Sequence, residues 1–191
     1  MNARSREHTV PGRRRTLALT LALGLVACSS AGRWGFSRTY TPADEEEDFV
    51  ENARDYDPVM IAREPESFRG AMLSLFGVVT ERTQDKGGFS YLTLSMRTLS
   101  ERNLCDTADE QTCRVTVSDR EYAVVHANVK LLPGDDIGPE SLQVGALVRV
   151  IGKLSDNVDA TDGMPVLTAS YYRHWPRNYY VTNAAAEHMR R

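Results

Sequence analysis

Two segments of this sequence repeat one pattern of glycines and apolar residues, and this repeat constrains the fold more than any other feature. Gly70–Val79 (GAMLSLFGVV) and Gly145–Leu154 (GALVRVIGKL) share both glycines, the alanine and every apolar position between the glycines. In each segment one set of apolar residues is spaced by two or four positions, which places that set on one face of a β-strand. The second glycine of each segment suits a strand that must bend or bulge to close a small barrel. We therefore predict two similar bent strands.

The alternation also predicts which side chains of these strands face the core. Leu75 and Val150 belong to the inner faces, together with Leu73, Val79, Val148 and Leu154, whereas Ser74 and Arg149 belong to the outer faces. The alternative is two unrelated turns, each followed by an apolar strand, because glycine often precedes a strand.

The rest of the chain adds short strands and no long helix. Strand-like segments are Phe89–Met96, Arg114–Val117, Tyr122–Val129 and Pro165–Tyr172. About five or six short strands, with the repeated pair in first and penultimate place, predict a mainly β domain that is a small, partly open barrel of the OB type. The segment Val144–Gly152 resembles the fourth strand of many OB folds.

The N-terminus predicts export and lipidation. Several arginines precede Thr16–Ala27, an uncharged run of 12 residues that reaches only ~18 Å as a helix, too short for a ~30 Å hydrocarbon core but typical of a signal peptide. The run ends in Leu25–Cys28 (LVAC), which resembles the bacterial lipobox. The resemblance implies that Cys28 carries the lipid, and Ser29 after it favours the outer membrane. The alternative is a short buried N-terminal helix with an incidental cysteine.

Cys105 and Cys113 form the remaining even pair of cysteines. Because an exported chain meets oxidising conditions, we predict a disulfide between them. A structural zinc site is the weaker alternative, since it needs four ligands and no histidine lies near either cysteine.

For the segment between the lipidated cysteine and the barrel, the sequence predicts a tether that contains a short helix. Thr41 can cap a helix that has Pro42 in its first turn and runs to about Arg54. The acidic run Asp44–Asp48 is interpreted as a solvated helix start, although it could also repel anionic lipid headgroups.

The order of these features resembles the Slp family of bacterial outer-membrane lipoproteins. The resemblance rests on the lipidated cysteine, the polar spacer, the entry at Pro65–Gly70, the two glycine-bearing strands and a Trp after the last strand, Trp175. It covers residues 28–178 and implies an envelope location rather than a reaction. The predicted organisation is a signal peptide over 1–27, a lipidated tether over 28–56, an OB-like domain over 57–178 and a tail over 179–191.

Charge and motifs narrow the possible functions. The formal charge of the whole chain is −3, but residues 1–27 hold five arginines and one glutamate. Residues 28–191 therefore hold 18 basic and 25 acidic residues, a net charge of −7, so we expect no nucleic acid as a partner. His126, His174 and His188 show no metal-ligand spacing, and neither a nucleophile elbow nor a phosphate loop is present. Hence we predict no catalytic residues, no metal, no cofactor and no enzyme activity.

The best candidate binding surface is an aromatic cluster at the end of the last strand. It comprises Tyr171, Tyr172, Arg173, Trp175, Tyr179 and Tyr180, next to a second basic residue, Arg177. Such residues can stack on a sugar or meet a partner protein, or they can plug the open end of a barrel.

These observations favour a lipid-anchored envelope lipoprotein on the periplasmic side of the outer membrane. Its OB-like domain would be a non-catalytic module that binds an envelope protein or a wall component. The alternatives are a periplasmic module that binds a small ligand or a cation, and an unrecognised envelope enzyme.

Overall fold

The computed structural model describes residues 40–84, 88–100, 103 and 113–188, and of residues 187 and 188 it describes the backbone only. The helices of this part are α1 (Asp44–Glu51), α2 (Pro58–Arg63), α3 (Pro65–Phe68) and a C-terminal 3-10 helix (Asn183–His188). The strands are β1 (Arg54–Asp55), β2 (Met72–Gln84), β3 (Phe89–Arg97), β4 (Val115–Val117), β5 (Val124–Lys130), β6 (Leu147–Val158), β7 (Pro165–Trp175) and β8 (Tyr180–Thr182). Within these ranges no helix has the length and hydropathy needed to cross a bilayer.

Five strands form a closed barrel. They pair in the order β2-β3-β5-β7-β6, and β6 also pairs with β2, which closes the sheet on itself. All neighbouring pairs are antiparallel except β5 and β7, which are parallel. The short strand β1 adds to β2 in parallel, outside the barrel. The prediction of a mainly β, OB-like barrel is confirmed.

The two repeated segments lie side by side and close the barrel together. Leu75 of β2 stands opposite Val150 of β6, and Leu73 stands opposite Gly152. Leu73, Leu75 and Val150 belong to the main core, as the alternation predicted. The repeat in the sequence therefore corresponds to a pair of neighbouring strands that share one inner face.

The glycines of the repeat allow close approach between strands. A Cβ atom on Gly152 would lie 2.2 Å from the carbonyl oxygen of Thr168 on β7, and the register of β6 against β7 shifts between Ile151 and Gly152. On β2 the shift comes later, between Val79 and Glu81. The structure thus shows both predicted irregularities. The one in β6 lies at Gly152 itself, and the one in β2 lies a few residues after Gly77.

Ser74 and Arg149 lie on the outer faces of their strands, as predicted, but they are not ordinary surface positions. Both side chains point away from the barrel interior, but Ser74 is only 6% exposed and Arg149 only 7%. Arg149 Nε donates a 3.0 Å hydrogen bond to Ser74 Oγ, and its guanidinium contacts the N-terminal segment. A second layer covers this outer face, which strand alternation alone does not reveal.

That second layer has a small apolar core of its own. Its buried residues are Phe76, Val115, Val117, Leu147 and Trp175. The strands β4 and β8 pair in parallel beside them, so residues 180–182 of the predicted tail belong to a sheet. This second core supports the end of β7, where the predicted binding surface begins.

The helix α1 packs on the barrel through one acidic residue of its first turn. The helix begins at Asp44 with Ala43 as the N-cap, not at Pro42 after Thr41 as predicted. The side chain of Glu46 accepts a 3.1 Å hydrogen bond from the Ala43 amide and is fully buried. For this residue the interpretation of the acidic run as a solvated helix start is wrong.

Candidate functional site

Three residues of the predicted aromatic surface line one cavity of about 550 Å³. They are Arg173, Trp175 and Tyr179, and the other residues of its lining are Cys113, Arg114, Gly134, Asp135, Glu140, His174 and Pro176. The cavity lies where the end of β7 meets the loop before β6 and the start of β4. Its walls come from segments far apart in the sequence.

The other three predicted surface residues lie elsewhere. Tyr171 stacks on Phe49 of α1, with ring centroids 5.0 Å apart, and burial raises the pKa of its hydroxyl to about 12. Tyr172 belongs to the main core and donates a 2.5 Å hydrogen bond to Asp135, and burial raises its pKa as well. Tyr180 donates to the carbonyl of Gly145. The structure therefore divides the predicted cluster into packing residues and cavity residues.

Trp175 anchors the cavity wall. Its indole Nε1 donates a 2.7 Å hydrogen bond to the carbonyl of Cys113, and its ring lies 6.0 Å from the ring of Phe76 in the second core. The Arg173 guanidinium lies over the Trp175 ring at 5.0 Å from the centroid. Elsewhere in the lining, the Arg114 guanidinium lies 5.9 Å from the centroid of the Tyr179 ring. These contacts fix aromatic and cationic groups next to one another.

Carboxylates and a histidine complete the lining. His174 Nε2 lies 2.8 Å from the carbonyl oxygen of Glu140, to which it donates, and its Nδ1 lies 3.9 Å from Asp135. Asp135 and Glu140 bring negative charge to the same cavity that holds Arg114 and Arg173. The cavity thus offers aromatic surface, hydrogen-bond donors and acceptors, and both signs of charge.

Arg173 also belongs to a buried ion network centred on Glu46. Glu46 Oε1 accepts from Arg149 at 2.7 Å, and Glu46 Oε2 accepts from Arg173 at 3.2 Å. The hydroxyl of Tyr40 donates to the same carboxylate, and burial raises the pKa of that hydroxyl. No local sequence pattern indicates this network, although the sequence does show an arginine between two core valines and an acid at a helix start.

A second group of polar residues lies on β3, β5 and the loop between β6 and β7. His126 Nε2 lies 2.8 Å from Asp162 Oδ2, and the Tyr91 hydroxyl donates a 2.6 Å hydrogen bond to Asp159. The rings of Tyr91 and His126 stack at 5.2 Å. Because no second histidine lies at a metal-ligand spacing, the sequence indicates no site at His126. Its partners are aspartates that only the fold brings near.

The carboxylates of this group are held in the ionised form. The hydrogen bond from Tyr91 is the main cause that lowers the pKa of Asp159 to about 2. The backbone amide of Met164, followed by the contact with His126, lowers the pKa of Asp162. Both aspartates therefore carry negative charge at any pH near neutrality.

The predicted cysteine chemistry is not tested by the described residues. Cys113 is buried beside the cavity, whereas Cys28 and Cys105 lie outside the described residues. Lipidation of Cys28 and a disulfide between Cys105 and Cys113 stay predictions.

The fold defines this chain as an OB-like barrel protein. No protein-family model matches the chain, and no curated protein matches its sequence. Among solved structures, a protein of Klebsiella pneumoniae proposed to be a nucleic acid-binding lipoprotein aligns with 71% of this chain and 99% of its own, at 17% identity and a TM-score of 0.37. The N-terminal domain of the PriB protein from Thermoanaerobacter tencongensis aligns with 56% of this chain and 97% of its own, at 14% identity and a TM-score of 0.27. A single-stranded DNA binding protein of Thermus aquaticus aligns with 55% of this chain and 49% of its own, at 18% identity and a TM-score of 0.29.

The names of these proteins correct one expectation from the sequence. A protein proposed to be a nucleic acid-binding lipoprotein and a single-stranded DNA binding protein are among the matches, which contradicts the exclusion of nucleic acid as a partner. The physical error lies in the use of net charge. The charge of a whole chain does not describe one groove, and base stacking on aromatic side chains contributes to single-strand binding alongside the backbone charge.

Proposed function

We propose that this chain is a lipid-anchored envelope protein on the periplasmic side of the outer membrane, and that its OB-like barrel is a non-catalytic module for an envelope protein or a wall component. The cavity beside Trp175 is the proposed binding site. The lipobox-like segment before Cys28 and the motif order that resembles the Slp family support the location. The composition of the cavity lining carries the proposed binding role.

The lining suits a ligand of peptide character. Trp175 and Tyr179 offer aromatic surface, which is enriched at protein interfaces because it buries large area with few rotatable bonds. Arg114 and Arg173 can donate to carboxylates, while Glu140 can accept from an ammonium or amide group. A peptide, including the peptide part of a wall component, presents all of these groups.

Two exposed tyrosines allow a matched test of this site. Tyr179 in the cavity is 46% exposed, and Tyr122, which is not among the residues that line it, is 49% exposed. We expect that a photocrosslinking p-benzoylphenylalanine in place of Tyr179 captures a discrete partner in intact envelopes, whereas the same group in place of Tyr122 does not. Isolated wall sacculi serve as a second probe, and we expect them to sediment the wild-type chain and Tyr122→Ala but less of Tyr179→Ala.

Three results would contradict the proposed binding site. The first is identical crosslinks from positions 179 and 122. The second is no crosslink from position 179 together with no sedimentation of the wild-type chain, and the third is equal sedimentation of both alanine variants. Capture of a single-stranded oligonucleotide through Tyr179 would assign the cavity to nucleic acid instead.

The lipid anchor has its own test. Replacing Cys28 with Ala removes the predicted site of lipid attachment, and the apolar run before it is too short to span a bilayer. We expect the variant to move from the membrane fraction to the soluble fraction, as measured by immunoblotting after fractionation. Cys105→Ala, which also removes one cysteine, should remain with the membranes. Unchanged membrane sedimentation of Cys28→Ala would refute the anchor.

A further inference from the structure

A separate site lies away from the cavity, on the barrel face formed by β3 and β5. His126, Asp159 and Asp162 each offer one ligand atom there, and these atoms all lie within 4.8 Å of one another. His126 is only 5% exposed, whereas the Asp162 side chain is 40% exposed, so a buried imidazole meets carboxylates that solvent can reach. In OB folds this face and the loop between the last two strands commonly hold ligands.

We propose that His126, Asp159 and Asp162 bind a divalent transition-metal ion of the Zn²⁺ class. One imidazole nitrogen with two carboxylate oxygens is a mixed donor set. Ca²⁺ takes 6–8 oxygen ligands and Mg²⁺ prefers an octahedron of oxygens, so a histidine among only two acids disfavours both. Three protein ligands leave positions for water or for an atom of a bound ligand.

The surrounding hydrogen bonds hold each ligand in place. The amide of Met164 donates to Asp162 Oδ1 at 2.9 Å, which leaves Oδ2 turned toward His126. The amide of Thr161 donates to Asp159 Oδ1 at 2.7 Å, while Asp159 Oδ2 accepts from Tyr91. Partners of this kind orient metal ligands and raise their affinity.

Thr93 plays the corresponding role for the imidazole. Its Oγ1 lies 3.2 Å from His126 Nδ1. A hydroxyl both donates and accepts, so it can pair with Nδ1 in either tautomer. When an ion takes Nε2, the neutral imidazole carries its single proton on Nδ1, and Nδ1–H donates to Thr93 Oγ1.

The distances require little movement. Ligand atoms around a tetrahedral ion with bonds of about 2.0 Å lie roughly 3.3 Å apart. The pair His126 Nε2 and Asp162 Oδ2 is already at 2.8 Å, and no pair in the group exceeds 4.8 Å. Small side-chain rotations in the loop after β6 would complete the site, and a dication would neutralise two ionised carboxylates.

Zinc titration of the full chain in detergent tests this proposal. By isothermal titration calorimetry with ZnCl₂, we expect one ion per chain, an affinity at least about tenfold lower in Asp162→Asn, and an affinity about 10–100-fold lower in Thr93→Val. Asp156→Asn is the matched control, because Asp156 is exposed on the same hairpin but lies outside the group. Circular dichroism verifies that each variant is folded, and Asp162 is exposed enough to tolerate the change.

The outcomes separate this site from other zinc ligands of the chain. Equal affinities of Asp162→Asn and Asp156→Asn would overturn the proposal, and so would the absence of any measurable binding of ZnCl₂ by the wild-type chain. Tighter binding of CaCl₂ than of ZnCl₂ would overturn the class of ion. Because the cavity residues are unchanged in all of these variants, the result is independent of the proposed peptide site.

Discussion

The variant Val150→Asp is expected to lack a folded barrel. Val150 is fully buried and stands between Leu75 on β2 and Tyr172 on β7, at the seam where the barrel closes. A carboxylate there has no charged or hydrogen-bonding partner, and burial of an unpaired ionised group costs several kcal/mol or more. Domains of this kind have a total stability of ~5–15 kcal/mol, so one such change is sufficient to unfold most molecules.

Lys153→Asp is the matched control for this effect. Lys153 is exposed on the same strand, so Asp should change the free energy of unfolding by no more than ~0.5 kcal/mol. Thermal unfolding of the chain without residues 1–28, followed by circular dichroism, measures both variants. A cooperative transition at the wild-type temperature in Val150→Asp would mean that β6 is not half of the barrel seam.

The neighbouring position shows what strand alternation leaves out. Alternation alone predicts that Arg149→Asp is tolerated because its side chain points outward. The structure reverses this expectation, since an aspartate in place of Arg149 would put a second carboxylate beside buried Glu46. We therefore expect Arg149→Asp to destabilise the domain for an electrostatic reason, at a position directly next to Val150.

The barrel was predictable because its signals are local. The glycines and apolar residues of the repeat lie within ten positions of each other, and their period of two depends only on backbone geometry. The same period explains why only three of the six residues predicted for the binding surface line the cavity. Along β7, Tyr171, Arg173 and Trp175 face the second layer, whereas Tyr172 enters the main core. Alternation within the strand divides what looks like one cluster in the sequence.

The polar groups of the molecule depend on distant pairings instead. Glu46 meets Arg149 across 103 positions, and His126 meets Asp162 across 36. No local pattern encodes which loop reaches which strand, because that depends on barrel closure and on the path of the N-terminal segment. The sequence shows an acidic run and a lone histidine. Only the fold shows that Glu46 of this run and His126 are each buried with a partner.

The second large effect is expected in Glu46→Gln, which should lower the free energy of unfolding by about 3–5 kcal/mol. One carboxylate stands between two guanidiniums, and the aromatic rings of Tyr40, Phe76 and Trp175 within 6 Å of them partly offset the surplus positive charge. Glutamine keeps the shape of the side chain and can still accept from the Ala43 amide. It removes the negative charge, however, and leaves the two buried guanidiniums without a counter-charge. Removal of one partner of a buried ion pair costs about 3–5 kcal/mol.

Glu47→Gln provides the comparison for Glu46→Gln. It removes the same charge from the next residue of α1, where the side chain is exposed, and should cost no more than ~0.5 kcal/mol. For a domain of this size the loss in Glu46→Gln corresponds to a fall of roughly 6–20 °C in the unfolding temperature. Urea unfolding of the chain without residues 1–28 gives both free energies directly. If the two variants were equally stable, the carboxylate of Glu46 would not hold α1 and Arg173 against the barrel, and the support for the cavity wall would have to come from the aromatic contacts alone.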